Sequence, residues 1–378
     1  MGKMSQLTPP QLESGNTTKR IMLVLQNMGA GGAERVMANL ANHLDNRMFS
    51  IDLVVLANQG EFFSNIENHA VNVFDLKYKR VLWAIPHLMW LLIIRKPYTV
   101  LSTLGHINVV MALLRLFFSR TRFIGREANI PSIELQHQRN PWLMANLFKI
   151  FYRHLDGVVC QSRDMRKDLL DNFGVPEDKL HLIHNPVDID GIKTLSLAGG
   201  NPYSTGKRNI LFVGRLQVQK RPKLLVKLME SFREEEQYHL HILGDGILQE
   251  ELSALFQSSK CDTSVTFWGL QKNPFRFMKH ATVLVVTSSH EGFPNVILEA
   301  NACGLPVVAF KVKGVTDEII REGLNGSLIE GDSPREMAAR IREVVAMRLP
   351  PEKIVFDVAE RFGLKIIIHE YEKLLAGT

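Results

Sequence analysis

Short apolar runs that alternate with helix-periodic segments constrain this chain more than any other feature of its sequence. "IMLVLQ" (21–26) has strand length and is almost wholly apolar. "AERVMANLANHLD" follows with Ala33, Val36, Met37, Leu40, Ala41 and Leu44 at helical spacing. The alternation continues through "IDLVVLA", "VNVFDL", "YTVLST", "RFIGR" and "GVVCQS". Strands apolar on both faces must be covered on both, so the pattern predicts a parallel sheet wrapped by helices. After "HLIHNPVDI" the periodicity stops. Residues 191–208, "GIKTLSLAGGNPYSTGKR", are rich in Gly, Ser, Thr and Pro and predict a linker. A second series runs through "NILFVGR", "YHLHILGDG", "SVTFWG", "ATVLVVTS" and "LPVVAF". The expectation is therefore two Rossmann-like α/β domains in tandem, over 21–190 and 209–355. A final helix is expected over 356–378, with Phe362, Ile366, Ile367, Tyr371 and Leu374 spaced for burial on one side.

Length and composition agree, since 378 residues with 46% apolar and 22% charged side chains can fill two cores and exclude a disordered chain. The first twenty residues are polar, carry Pro9 and Pro10, and lack an apolar stretch, which predicts a flexible leader on a protein that is not exported. Cys160, Cys261 and Cys303 lie far apart in apolar surroundings and read as reduced thiols of a cytoplasmic protein. The longest apolar run, Val81 to Ile94, spans 14 residues and contains Pro86, too short for a membrane span, which needs about 20.

The net charge of +6 is unevenly placed. Residues 76–153 hold 12 Lys and Arg against Glu127 and Glu134 alone, a local balance of +10. In "MALLRLFFSRTRF" (111–123) bulky apolar residues mix with Arg115, Arg120 and Arg122. This composition suits a face lying on an anionic membrane surface, peripheral on the inner leaflet; it equally suits core helices with charged ends. No nucleic-acid-binding module is recognisable in the basic segment, so no nucleic-acid partner is expected.

Three loops have the composition of an anion site. "QNMGAGGAER" (26–35) joins the first strand to the first helix, where a glycine turn brings backbone N–H groups up to an anion. Glu34 stands where the third glycine of a dinucleotide fingerprint would fall, which argues against NAD; a ligand-free tight turn is the competing reading. "FVGRLQVQKRP" (212–222) places Arg215 and Lys220 just beyond a strand's carboxyl end. A guanidinium and an ammonium together suit a diphosphate, although loop cations are also commonly just solvated. "TSSHEGFPNVILEA" (287–300) turns through Gly292 and Pro294 into a helix carrying Glu299, with Glu291 in the loop before it. Two carboxylates at that separation can accept hydrogen bonds from hydroxyls at two points of a sugar-bearing ligand, or be one surface and one helix glutamate. No acidic metal-binding motif sits in a suitable loop.

"GGAER", "FVGRLQVQK", "ILGDG" and "HEGFPNVILEANACGLPVV", in this order over nearly the whole chain, resemble the family 4 retaining glycosyltransferases of bacterial polysaccharide and lipid-linked glycan synthesis. The resemblance implies the GT-B fold, in which two Rossmann-like domains face across a cleft and the C-terminal helix crosses back to the first. It also implies a nucleotide-sugar donor, most commonly UDP-linked, a glycan or polyprenyl-diphosphate-linked acceptor, and neither a metal nor another cofactor. By the same resemblance Arg215 and Lys220 hold the donor diphosphate, Glu299 the ribose and Glu291 the transferred sugar. Gly292, Phe293, Pro294 and Asn295 lie at the phosphates. Gly214 belongs to the donor loop, Gly244, Gly246 and Asn273 lie near the base, and Gly31 and Gly32 form the opposing wall. One departure stands out. Where several relatives carry a histidine in a run like "SEHSN", this chain has "GREAN", with Glu127 at that position; either Glu127 takes over its polar contact or this subgroup does without it, and His106 is a further candidate or a structural histidine. Rival readings are a nucleotide-sugar epimerase on the same fold and a non-enzymatic nucleic-acid binder.

Overall fold

The computed structural model describes residues 18–29, 31–57, 66–136, 140–203, 206–312 and 315–377, so most of the segment expected as a leader lies outside the described residues. Two parallel sheets account for the double series of apolar runs. The first contains β1 (Lys19–Leu25), β2 (Phe49–Val55), β3 (Asn72–Asp75), β4 (Thr99–Thr103), β5 (Arg122–Arg126), β6 (Gly157–Cys160) and β7 (Leu180–Leu182), in the order β3-β2-β1-β4-β5-β6-β7. The second contains β8 (Arg208–Val213), β9 (Tyr238–Leu243), β10 (Val265–Gly269), β11 (Val283–Val286), β12 (Val307–Phe310) and β13 (Gly326–Ile329), in the order β10-β9-β8-β11-β12-β13. In both sheets the order reverses beside the founding strand, between β1 and β4 and between β8 and β11. Ligand crevices open at such points, outside the carboxyl ends of the strands.

Each sheet is buried on both faces, which is why its strands read as continuous apolar runs. Along β1, Ile21, Leu23 and Leu25 enter one core and Met22 and Val24 the other, the two-residue period of a strand. β8 divides likewise, Leu211 to one side and Ile210 and Phe212 to the other.

Two expectations need correction. The segment expected as a linker begins inside a helix, Ile189–Leu197, whose N-cap Asp188 accepts a hydrogen bond from the Gly191 amide. Ile192 is buried beside the helix Phe275–His280, and Gly191 within the first turn masked the periodicity. The C-terminal segment is two helices, Pro351–Phe362 and Leu364–Ala376, broken at Gly363. Phe362 therefore belongs to the first helix, and in the second the buried face carries Ile367, Ile368, Tyr371, Leu374 and Leu375 while Ile366 is exposed.

The break marks a crossing between the lobes. Val358 and Phe362 pack in the second lobe, whereas Ile367, Ile368, Tyr371 and Leu375 pack in the first. At the crossing the Val187 amide donates to Phe362 O (2.9 Å), and the Leu364 amide donates to Val187 O (3.0 Å), so both chain crossings are bonded to one another. Because Leu375 is wholly buried in the first lobe, Leu375→Ala should destabilise that lobe by about 2–5 kcal/mol, read as a fall in its urea midpoint at unchanged slope.

Candidate active site

The turns after β1, β5 and β7 of the first lobe meet the turn after β11 of the second at the cleft, and the turn after β8 is bonded to the latter. On the second lobe, residues 217–221 and 287–291 are laced together. The Ser289 amide donates to Gln219 O (2.8 Å), Thr287 Oγ1 to Lys220 O (2.6 Å), and Gln219 Nε2 to His290 O (2.9 Å). Arg221, held at φ 46°, donates to Thr287 O (2.7 Å) and Ser288 O (3.0 Å). This lacing aims Lys220 Nζ at the buried Glu291 carboxylate, with which it forms an ion pair. The Lys220 stem lies 3.7 Å from where a Cβ on Gly214 would sit. Arg215 is exposed at the cleft rim.

Beyond Glu291 the chain turns through Gly292. A Cβ there would overlap the carbonyl oxygen of Ala128, so only glycine lets the lobes touch backbone to backbone. The buried Phe293 ring packs between His184 (centroids 5.0 Å) and Phe362 (5.7 Å). Pro294 caps the helix Asn295–Ala302, and Glu299 is buried on that helix.

The first lobe answers with the helix Gly32–His43, capped by Gly31. Its Arg35 forms an ion pair with Glu299 across the cleft. The Glu34 carboxylate folds back over Gly31, where a Cβ would collide with it. Burial raises the Glu34 pKa against the pull of its own backbone, of Arg215 and of Arg126, so Glu34 lies within electrostatic reach of Arg215 on the other lobe. Asn185 Nδ2 donates to Asn295 Oδ1 (2.7 Å), and Asn295 Nδ2 faces Gly32 O at 3.5 Å.

The remaining candidates sit differently. Glu127 does not face the cleft. It is 4% exposed, with its carboxylate turned inward to accept from Asn108 Nδ2 (2.7 Å) and the Tyr152 hydroxyl. Both bonds fall on Oε1. Burial raises its pKa to about 7, against the opposing effect of those two hydrogen bonds. His106 is solvent-accessible at the start of the helix Gly105–Arg115 and shares a 3.3 Å contact with Gln26 Oε1; surrounding protein lowers its pKa. Asn273 is engaged locally, donating to Leu195 O (2.8 Å) and accepting from the Phe275 amide (3.2 Å). Gly244 (φ 131°) and Gly246 (φ 152°) let the loop after β9 lie against Gly214 O and Leu216 O, a packing reason for both glycines that precedes any ligand. Among the described residues no group of three or more His, Cys, Asp or Glu is placed to hold a metal ion.

Arg35, Asn185, Arg126 and His184 were missed as cleft residues. The signal for the first two was available: "ER" closes the first glycine block, and "HNPVD" ends the last strand of the first series, so both stand at strand-to-helix turns on the cleft side.

Two Rossmann-like lobes with facing switch points and a charged crevice define a GT-B architecture. Residues 30–190 match the model for Glycosyltransferase Family 4, and residues 200–356 match that for Glycosyl transferases group 1. The chain belongs to the family 4 glycosyltransferases and is a transferase enzyme. It is 25% identical over 84% of its length, and 88% of the relative's, to an N-acetylgalactosamine-N,N'-diacetylbacillosaminyl-diphospho-undecaprenol 4-alpha-N-acetylgalactosaminyltransferase of Campylobacter jejuni. It is also 25% identical, over 56% of this chain and 61% of the relative, to the lipopolysaccharide 1,6-galactosyltransferase of Escherichia coli K12. The fold is that of Anabaena Alr3699/HepE, solved in complex with UDP and glucose, with a TM-score of 0.77 at 21% identity over 95% of this chain and 99% of that one. None of these relatives is an epimerase, and that rival draws no support from them.

The buried Glu127 yields a stability prediction. Its folded pKa lies above the unfolded value of about 4.3, so the folded state binds the extra proton between roughly pH 4.3 and 7, and stability falls as pH rises through that window. Glu127→Gln removes the titrating group. From pH 5 to 7.5 its unfolding free energy should gain on the wild type by up to about 1.4 kcal/mol per pH unit, measured by urea unfolding of both proteins. A constant difference across that range would mean that Glu127 keeps an ordinary pKa.

Proposed function

We propose that this glycosyltransferase moves a sugar from a UDP-sugar, with retention of anomeric configuration, to a glycan or polyprenyl-diphosphate-linked acceptor in cell-surface polysaccharide synthesis. The observation that carries this reading is the convergence of Lys220, Glu291, Glu299 and the N-terminus of the helix Asn295–Ala302 at the second lobe's switch point. The UDP named in the Anabaena structure and the diphospho-undecaprenol acceptor named for the Campylobacter relative support it.

The chemistry follows from the charge distribution. As the anomeric C–O bond breaks, negative charge grows on the departing diphosphate, and fixed donors aimed there stabilise that growth more than they stabilise the ground state. Lys220 has three N–H donors, so it can keep Glu291 and still meet a phosphate oxygen. Arg215, exposed at the rim, adds a planar fork, and the amides of Gly292, Phe293 and Asn295 add the positive end of the helix dipole. These groups supply the stabilisation without a metal. Glu291 and Glu299 accept hydrogen bonds from sugar and ribose hydroxyls. In same-face attack the acceptor oxygen bonds to the anomeric carbon, the bond to the diphosphate breaks, and the acceptor proton passes to the departing phosphate oxygen. Arg215→Ala or Lys220→Ala should each lower kcat about 10²- to 10³-fold, roughly 3 to 4 kcal/mol. UDP release measured against a panel of UDP- and GDP-sugars checks this; near-native turnover in either variant would return that residue to the solvent.

The same reading places the enzyme in the cytoplasm, peripheral on the inner face of the plasma membrane. No helix among the described residues is long and apolar enough to cross a membrane. The helix Val81–Arg95 leaves Leu82, Trp83, Trp90, Ile93 and Ile94 exposed, and the helix Pro141–Phe151 exposes Trp142, Leu143 and Ile150. Both pack on the helix Gly105–Arg115, so apolar surface and the +10 segment share one region of the first lobe. Anionic vesicles should carry the protein upward in flotation at low salt and less so at high salt, because exposed charges are screened. No flotation at low salt would remove the membrane from the proposal.

A further inference from the structure

Arg126 at the end of β5 is wholly buried, and among the described residues no carboxylate lies within 4.0 Å of it. Its guanidinium donates to Thr103 Oγ1 (3.2 Å) and to Asn185 Oδ1 (2.6 Å), while Nε has no partner. The neighbouring Glu127 carboxylate is turned away toward Asn108 and Tyr152. Glu34 and Glu127 act on it electrostatically without forming an ion pair with it. A buried cation with no contacting carboxylate and an unbonded Nε remains costly, and an anion arriving nearby relieves that cost.

The direction of the attached hydrogen bonds says where that anion sits. A guanidinium can only donate, so Asn185, itself 2% exposed, must offer it Oδ1. That orientation leaves Asn185 Nδ2 to donate, and it meets Asn295 Oδ1 at 2.7 Å. Asn295 in turn is left with Nδ2 toward Gly32 O. The polarity of both amides is thus fixed from the buried charge outward, and the chain ends on Asn295, the first residue of the helix Asn295–Ala302.

We propose that Asn185 is a positioning residue, through which the buried Arg126 orients Asn295 and projects positive potential onto the departing diphosphate. The inference rests on the donor site assigned under the proposed function. Arg126 lies one amide behind the phosphate-facing turn, in an interior where a fixed charge acts over longer range than in water. Its effect grows with the charge of the leaving group, which is already anionic when bound and gains a further charge on departure, so it falls more on the chemical step than on ground-state binding. A purely structural link between the lobes would instead act on stability and closure alone.

Asn185→Asp separates the two. The carboxylate still accepts from Arg126 and neutralises it, but cannot donate to Asn295; turning Asn295 to meet it would set carbonyl against carbonyl at Gly32. The thermal midpoint should equal or exceed that of the wild type, KM for the donor should stay within about threefold, and kcat should fall about 10- to 100-fold, the range for one preorganised donor or less. UDP release from UDP-glucose, UDP-galactose, UDP-N-acetylglucosamine and UDP-N-acetylgalactosamine provides the measurement, on the full chain with acceptor or as slow donor hydrolysis. An unchanged kcat, or a kcat that falls only together with the thermal midpoint, overturns the inference while leaving the donor site in place. A wild-type protein that releases UDP from none of these donors sinks the donor reading, and this one with it. If Asn185→Asp is recovered unfolded, Asn185→Ala takes its place: lowered kcat at unchanged donor KM supports the positioning role, and a change in KM alone refutes it.

Discussion

The approach of the Gly292 backbone to Ala128 is the contact on which the rest of the cleft depends. It brings together two sheets that share one kind of strand-order reversal, so that turns from several strand ends meet at the cleft. A side chain at position 292 would hold the lobes apart, and Arg35 would no longer reach Glu299 nor Asn185 reach Asn295. Those two contacts are polar, specific and buried or half-buried, so they define one closed arrangement of the lobes instead of a range of them.

Within that arrangement the charges are already paired. Glu291 holds Lys220, Glu299 holds Arg35, and Glu34 lies within the field of Arg215. Each side chain assigned to the donor thus has a protein partner of opposite sign before any ligand arrives. Entry of a nucleotide sugar exchanges ion pairs for hydrogen bonds to hydroxyls and phosphates without exposing bare charge to the interior, which keeps the desolvation cost of binding low. Arg126 differs in degree: Glu34 and Glu127 act on it at a distance, and its contacts are to neutral groups, Thr103 and Asn185.

Much of this was legible in the sequence, and for physical reasons. Parallel strands buried on both faces give unbroken apolar runs, so "IMLVLQ" and "NILFVG" marked the two founding strands, and the glycine-rich turns after them marked the switch points. Lys220 and Glu299 could be placed at the cleft because they stand in blocks adjoining such turns. Strand-end position says nothing of side-chain direction: the residue after Glu127 touches the other lobe, whereas the Glu127 carboxylate accepts from Tyr152 and Asn108 in a buried pocket. Arg35 and Asn185 were hidden for a related reason. Each makes its decisive contact with a residue more than a hundred positions away, and a local pattern carries no trace of a partner on another lobe. The break at Gly363 escaped notice because periodicity continues through it in composition while the backbone changes direction.

That break has a mechanical consequence. The chain passes between lobes twice, at Val187 and at Gly363, and the two passages are stitched by a pair of backbone hydrogen bonds. Two adjacent, mutually bonded strands behave as a door hinge: they permit swinging about one line and resist sliding or unscrewing. Any opening of the cleft about that line is widest at the rim farthest from Val187.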